Sequence, residues 1–344
     1  MRDQHTPYQE LFYDDSRAAL FEDGQLVDYW PSDTQSPYGI GAIHYARVTQ
    51  LFAKQNRANC QLDTGEIASV RFSAKDKLTA GQLCWITLSA MPRQHKPWQA
   101  ELGISRAGRL IVMHYGQDTL RVSHKAKEAI DDALLRTLKA ALPDGWGAVL
   151  KRASLDASTD DIIAEMTRLV SALPDPLPDV RHHNQPFCFY HGETGRDYVT
   201  LGALANHERR RLDDAVRWDE ISAEAKLACE QVVSLSNGAV LTVEQTQAVL
   251  AIDVDSAQSR LSPLALARAV APHIMRLIRL AHYSGVIVID MPRLGFSDMT
   301  AILAEMRHHA TRDIRHPDVL GVSRAGLIEI VVRHRLSRLS ERMT

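Results

Sequence analysis

The chain is short of cysteine, of long apolar runs and of any excess of one charge, and each shortage excludes something. Four cysteines in 344 residues, at positions 60, 84, 188 and 229, stand far apart with no CxxC pair. No structural zinc and no disulfide framework is therefore indicated, and a reduced, cytoplasmic setting is expected. No apolar run approaches the ~18 residues needed to span a membrane. The acidic, polar start MRDQHTPYQELFYDD is unlike a signal peptide. Lys and Arg number 40 against 42 Asp and Glu, a formal net charge of −2. A histone-like polycation is excluded, although a locally basic groove is not. GxxxxGK[ST] and GxGxxG are both missing, which leaves a P-loop or Rossmann reading without support. GxSxG is missing too, against a serine hydrolase of the usual α/β type.

What is present describes a folded, multi-part protein. Hydrophobic residues make up 45% and charged residues 24%, and the length suits about two domains. RAALFEDGQLVD (17–28) predicts two short strands around an Asp-Gly turn. From 38 to about 113, short strands at regular spacing predict a small β-barrel, interrupted by the polar loop MPRQHKPWQ (91–99). Helices are expected over 124–142, 156–173 and roughly 220–233, with a strand at 148–150 and a Pro-rich junction at 173–186. Residues 236–344 alternate strand and helix. His182-His183-Asn184 reads as surface loop, and HERRR (207–211) as a solvated helix face. The terminal RHRLSRLSER is a better candidate for a basic binding patch, or else a plain solvated end.

The most informative stretch is 240–293. In QAVLAIDVDS (247–256), strand alternation sets Leu250, Ile252 and Val254 on one face and Asp253 and Asp255 on the other. Ser262-Pro263 opens a helix running to about Tyr283, with Pro272 able to kink it. Gly285 ends that helix, and VIVID (286–290) predicts a buried parallel strand. A strand–helix–strand crossover brings the C-terminal ends of both strands to one sheet edge, and with them Asp253 and Asp290. Two carboxylates there can share a hard cation such as Mg2+, with water completing the octahedron. A strand-end Asp that merely caps a turn remains the simpler alternative.

VSLSNGAVLTVEQTQAVLAIDVDSAQ (233–258), YSGVIVIDMPRL (283–294) and GVSRAGLIEIVVRHR (321–335) together resemble the catalytic region of the ribonuclease E/G family. The order and spacing of the three blocks match as well. RAALFEDGQLVDYWP resembles the family's N-terminal strands, 38–118 its S1 domain and 119–175 its 5′-sensor region. The resemblance implies an α+β mosaic. An RNase-H-like scaffold (1–36 and 176–235) carries an inserted S1-like OB barrel (37–118), a sensor-like segment (119–175) and a C-terminal α/β catalytic subdomain (236–344).

It further implies a Mg2+-dependent endoribonuclease, with Mn2+ as a substitute, that cleaves single-stranded RNA by metal-activated water. Asp253 and Asp290 match the two metal-holding carboxylates. Asp255 stands where the family usually has an Asn that orients the first of them, and would act as orienter or outer base. Arg324 in the SRAG turn matches an arginine near the RNA backbone, and Arg93 and Lys96 match basic residues near the active site. Lys151 and Arg152 take the place of the sensor's Arg-Thr pair, so the threonine is lost. Gln61 and Val70 fall where the S1 domain stacks bases on aromatics, which leaves stacking there unsupported. The zinc-link cysteines are not in the sequence, so no structural zinc and no zinc-linked tetramer is expected, and a homodimer stays open. A second reading, favoured by these departures, is an RNA-binding regulator that keeps the scaffold without useful activity.

Overall fold

The structure, a computed structural model, describes residues 8–343 except 33–35, 74, 94–95, 124–130, 175–176, 194–198 and 200–206. The chain forms two units, one of residues 1–35 with 194–344, the other of residues 36–193. The first unit starts with β1 (Gln9–Tyr13), β2 (Ala18–Glu22) and β3 (Gln25–Trp30). Asp23 and Gly24 have φ of 48° and 76°, the positive values a primed two-residue turn requires, and they join β2 to β3 as expected.

In the second unit, β4 (Ile43–Phe52), β5 (Arg57–Gln61), β6 (Ile67–Arg71), β7 (Leu83–Ala90) and β8 (Trp98–Leu102) run in the order β4-β5-β6-β8-β7. Pairing of β4 with β7 closes them into a barrel consistent with an OB or S1-like fold. The expected barrel segment 37–118 thus holds more than the barrel. Beyond Gly103 the chain builds a second sheet, β11-β12-β10-β9, from β9 (Ser105–Ala107), β10 (Ile111–Tyr115), β11 (Leu120–Val122) and β12 (Trp146–Leu150).

α1 (Asp132–Ala140) and α2 (Thr159–Ser171) complete this second sheet's core, in which Leu138, Ile162, Met166 and Leu169 pack with Ile111 and Met113. Ser158 and Asp161 form a reciprocal cap that fixes the start of α2. β13 (Phe187–Tyr190) pairs with β4, so residues up to 193 belong with the barrel's unit.

His44 is fully buried in this unit, edge-on to Tyr38 at 4.4 Å and 3.3 Å from the Asp63 carboxylate. Burial pushes its pKa down to about 4, despite the pull of Asp63 and with His191 opposing protonation. The folded state therefore takes up this proton later than the unfolded chain, whose histidine titrates near 6.5. Stability should fall as pH drops from about 6.5 to about 4, by up to about 3 kcal/mol from this group alone. His44→Gln should flatten that part of a urea-denaturation pH profile; an unchanged slope would contradict the assignment.

Back in the first unit, β14 (Glu208–Arg211) pairs parallel to β1, giving the order β14-β1-β2-β3. HERRR is thus an edge strand and not the expected helix face. Parallel pairing with β1 engages one side of its backbone, while Arg211 reaches Asp15 and Asp213 at 2.9 and 3.0 Å. A charged edge of this kind resists further strand pairing. α3 (Ala215–Leu227) begins before the expected position because Asp214 accepts from the amides of Val216 and Arg217. The VVS of the expected helix end is instead β15 (Val232–Ser234).

β16 (Val240–Gln245), β17 (Val249–Asp255), β18 (Gly285–Asp290), β19 (Asp318–Val322) and β20 (Ile328–Val332) complete a six-stranded sheet, ordered β15-β16-β17-β18-β20-β19. Only β17 and β18 are parallel, joined through α4 (Pro263–Leu280). Ser262 caps α4 on the amide of Ala265, with Pro263 in its first turn, as expected. α4 and α5 (Phe296–Ala310) share one core with Ile252, Ile287, Ile289 and Ile330.

The sheet's opposite face is open. VIVID is therefore half-buried and not a strand enclosed on both sides: Ile287 and Ile289 are buried, while Val286 is 42% exposed. The terminal segment is not a plain solvated end either. Leu336 and Leu339 are buried there, and α6 (Leu339–Arg342) lays the Arg342 guanidinium 3.9 Å over Trp30. Among the described residues no helix is long and apolar enough to cross a membrane.

Candidate active site

The parallel ladder between β17 and β18 sets Asp253 directly across from Asp290. Both side chains are exposed on the open face, because their strand neighbours Ile252, Val254 and Ile289 are buried beneath. Period-2 alternation thus produces the pair from the sequence, and the parallel register aligns it. Thr242 on β16 stands across from Asp253 and extends the row. Asp255 shares the face two residues further on, across from Val240. Its Oδ1 accepts the amide of Ala257 at 2.8 Å, which holds the turn leaving β17, where Ala257 has φ 43°.

Arg324 lies in the turn between β19 and β20. The turn is closed by Ser323 N to Leu327 O at 2.8 Å and by Ser323 Oγ, which accepts Leu327 N at 3.2 Å. Because Ile328 pairs with Ile289, this turn emerges at the sheet edge where Asp290 ends β18. The exposed Arg324 therefore shares an edge with the carboxylate pair. The loops leaving β17 and β18 add exposed Arg260 and Arg293, which the sequence reading did not single out. Their signal was position alone: both follow strand ends at the switch in chain direction.

Glu329, across from Val288, is on the same face one pleat away. Among the described residues no three His, Cys, Asp or Glu side chains converge well enough to hold a metal ion. The arrangement is a carboxylate pair with room for water, a donor set that suits Mg2+, which keeps several waters and uses one or two carboxylates.

The remaining expected residues lie in the unit of residues 36–193. Arg93 and Lys96 close a tight turn between β7 and β8, each bonding the other's backbone at 3.1 and 2.8 Å. Gln94 and His95 between them lie outside the described residues. Val70 is fully buried inside the barrel, across from Ala58, so it offers no surface to a base. Gln61, Asn59 and Arg57 alternate to the outer face, where Arg57 stands directly across from Arg71. Two like charges in register cost stability unless an anion or polar neighbours offset them. Here Ser69 accepts from Arg57 at 3.2 Å.

Lys151 and Arg152 do not alternate on a strand. β12 ends at Leu150, Ser154 Oγ donates to the Lys151 carbonyl at 2.6 Å, and the chain turns into a 3-10 helix from Arg152. Lys151 Nζ donates to the Gly108 carbonyl, while Arg152 is exposed. Beside them Glu165 accepts the amides of Leu110 and Ile111 at 2.8 and 3.2 Å, so these two donors are taken by the chain's own carboxylate. A Cβ on Gly108 would meet Glu165 Oε1 at 2.0 Å, so a larger residue there would displace the Glu165 side chain from these amides.

The family model described as the Ribonuclease E/G family matches residues 203–336. The chain is 23% identical over 312 residues to the protein named Ribonuclease E of Synechocystis sp., covering 78% of this chain and 46% of that protein. It is 26% identical over 220 residues to the Ribonuclease E of Nostoc sp., covering 62% of this chain and 30% of the relative. A Ribonuclease E/G-like chloroplastic protein of Arabidopsis thaliana is 32% identical over 120 residues, covering 32% of this chain and 12% of that one. The chain thus spans less than half the length of these curated relatives. The matched region contains the strands, the carboxylate pair and the arginine turn described above, and over that region the chain is similar to the ribonuclease E/G family.

Proposed function

We propose that the chain is a metal-dependent endoribonuclease that cleaves single-stranded RNA. The observation that carries this reading is the Asp253–Asp290 pair, aligned across a parallel ladder and exposed at a strand-end edge. The names of the relatives support the substrate class. Asp253 and Asp290 would hold Mg2+ or Mn2+, which when bound neutralises charge developing at a phosphate and activates a water molecule. Asp255, tied to the Ala257 amide, would orient Asp253 or receive a proton from outside the pair.

Arg324 would bind the phosphate backbone with a bidentate fork at the Asp290 edge. Arg93, Lys96, Arg57 and Arg71 would add sequence-independent phosphate contacts. The four-stranded sheet β14-β1-β2-β3 would serve as the RNase-H-like scaffold and residues 236–344 as the catalytic subdomain. No structural zinc is proposed.

The sensor region leads to a separate expectation. Lys151 is engaged with the Gly108 carbonyl, and Glu165 already sits on the neighbouring amides. A 5′-phosphate arriving there would meet a carboxylate and a single exposed Arg152. Preference in kcat/KM for 5′-monophosphorylated over 5′-hydroxyl RNA should stay below tenfold, about 1.4 kcal/mol. Matched oligonucleotides differing only at the 5′ end test it, and a preference well above tenfold would contradict this account of the region.

The rival reading, an RNA-binding regulator without useful activity, draws on Asp255 and on the missing aromatics of the barrel. Incubation of the full chain with a fluorogenic single-stranded RNA, in Mg2+ and in EDTA, separates the two.

A further inference from the structure

Phe296 is 92% exposed, more than any other large hydrophobic residue among those described. Its position in α5 explains how this arises. Met299, Leu303, Met306 and Ala310 form an apolar stripe facing the core, and Phe296 continues that stripe one turn earlier. The core cluster reaches Met299 but not Phe296, so the ring is left in water. Gly295 at the helix start supplies no side-chain cap, and Phe296 serves the helix only through its carbonyl, which accepts from Thr300 at 2.8 Å. With 92% of its surface in water, the ring adds little to the core and is available to a partner.

The ring's surroundings select the partner. α5 follows β18 through a loop of residues 291–295, so Phe296 lies within about 20 Å of Asp290 along even a fully extended chain. Exposed Arg293 lies in that same loop, and Arg260 beside the 43%-exposed Leu261 lies in the loop leaving β17. Arg324 is in the turn at the same edge. Cations interleaved with apolar and aromatic surface beside a phosphate-cleaving carboxylate pair suit a single strand, whose phosphates need charge and whose bases need a flat apolar face. The outer face of β5 and β6 in the barrel presents Gln61, Asn59, Arg57, Ile67 and Arg71, so it supplies charge without a ring.

We infer that Phe296 stacks on a nucleobase a few nucleotides from the scissile phosphate placed beside Asp253 and Asp290, and so sets where the strand is gripped. The inference rests on the ribonuclease reading above and adds to it a base-binding place within the catalytic unit. Because a π-face is common to every base, the contact should be tolerant of sequence.

Two measurements on the full chain test it, using a single-stranded oligoribonucleotide that carries 5-iodouridine at each position in turn. Irradiation in EDTA should crosslink one or two positions flanking the cleavage point to the peptide containing Phe296, as read by mass spectrometry. Phe296→Ala should lose that crosslink. In Mg2+ the same variant should raise KM about tenfold, equivalent to about 1.4 kcal/mol, with kcat within threefold of wild type. Phe296→Tyr should restore both the crosslink and KM, and thermal unfolding should be the same for all three proteins, since the ring is exposed.

A KM for Phe296→Ala within twofold of wild type, or no crosslink at Phe296, would overturn the inference. If wild type cleaves and Asp290→Asn does not while Phe296→Ala matches wild type, the stacking inference alone fails. If wild type neither binds nor cleaves the RNA, the ribonuclease reading fails with it.

Discussion

Replacing either carboxylate of the pair, Asp253→Asn or Asp290→Asn, should reduce RNA cleavage by at least a thousandfold while leaving the fold intact. Both side chains are exposed and stand across from one another at the end of a parallel ladder, so neither is needed for packing. An amide keeps the volume but removes the charge on which a hard cation depends. A thousandfold loss corresponds to about 4 kcal/mol of transition-state stabilisation. Circular dichroism and thermal unfolding should match wild type. Residual activity within tenfold of wild type in either variant would exclude the pair as the metal site.

The second large effect is expected on stability and arises far from the candidate site. Asp28, Arg279 and His282 are 2%, 4% and 1% exposed and form one buried charged group. Arg279 Nε reaches Asp28 at 3.5 Å, its Nη1 reaches Glu22 at 2.9 Å, and His282 Nε2 lies 3.2 Å from Asp28. Burial alone would raise the Asp28 carboxyl, but the His282 hydrogen bond and the Arg279 charge hold it below its ordinary value.

The group ties α4 to the β2–β3 hairpin. Asp28→Ala leaves Arg279 buried with one partner fewer, and breaking a buried pair in this way costs about 3–5 kcal/mol. For a unit of this size that should lower Tm by about 10 °C or more. A double replacement, Asp28→Leu with Arg279→Met, should recover much of the loss, because the two buried charges leave together and Glu22 keeps Gln9 at 2.8 Å and Arg312 at 3.9 Å. A loss below about 1 kcal/mol for Asp28→Ala would show that Glu22 alone satisfies Arg279.

Which features could be read from sequence follows from their range along the chain. The Asp-Gly hairpin, the Ser262 cap and the facing of Asp253 and Asp255 are local, set by turn chemistry and a two-residue period. The crossover rule then aligned Asp253 with Asp290, although the two are 37 positions apart.

Longer-range partners were hidden. The Asp28–Arg279 pair spans |i−j| = 251, and nothing near Asp28 announces it. VIVID read as enclosed because it is apolar up to its final Asp290, whereas helices cover only one face of its sheet. HERRR carries no strand alternation of apolar residues, and it is a strand only because β1 offers it a free edge. Lys151 and Arg152 directly follow the expected strand at 148–150, but the Ser154 hydroxyl on the Lys151 carbonyl turns the chain away. Phe296 fits a helical stripe by periodicity, and only the end of the core reveals it as exposed.

The central claim is that Asp253 and Asp290 hold a divalent cation used to cleave single-stranded RNA. One measurement tests it most directly: cleavage of a fluorogenic single-stranded RNA by the full chain and its Asp290→Asn variant, titrated with Mg2+ and with EDTA. The account predicts Mg2+-dependent cleavage by wild type, its loss in EDTA, and at least a thousandfold lower rate in the variant across the whole titration. Cleavage that persists in EDTA, or a variant as active as wild type, would contradict it.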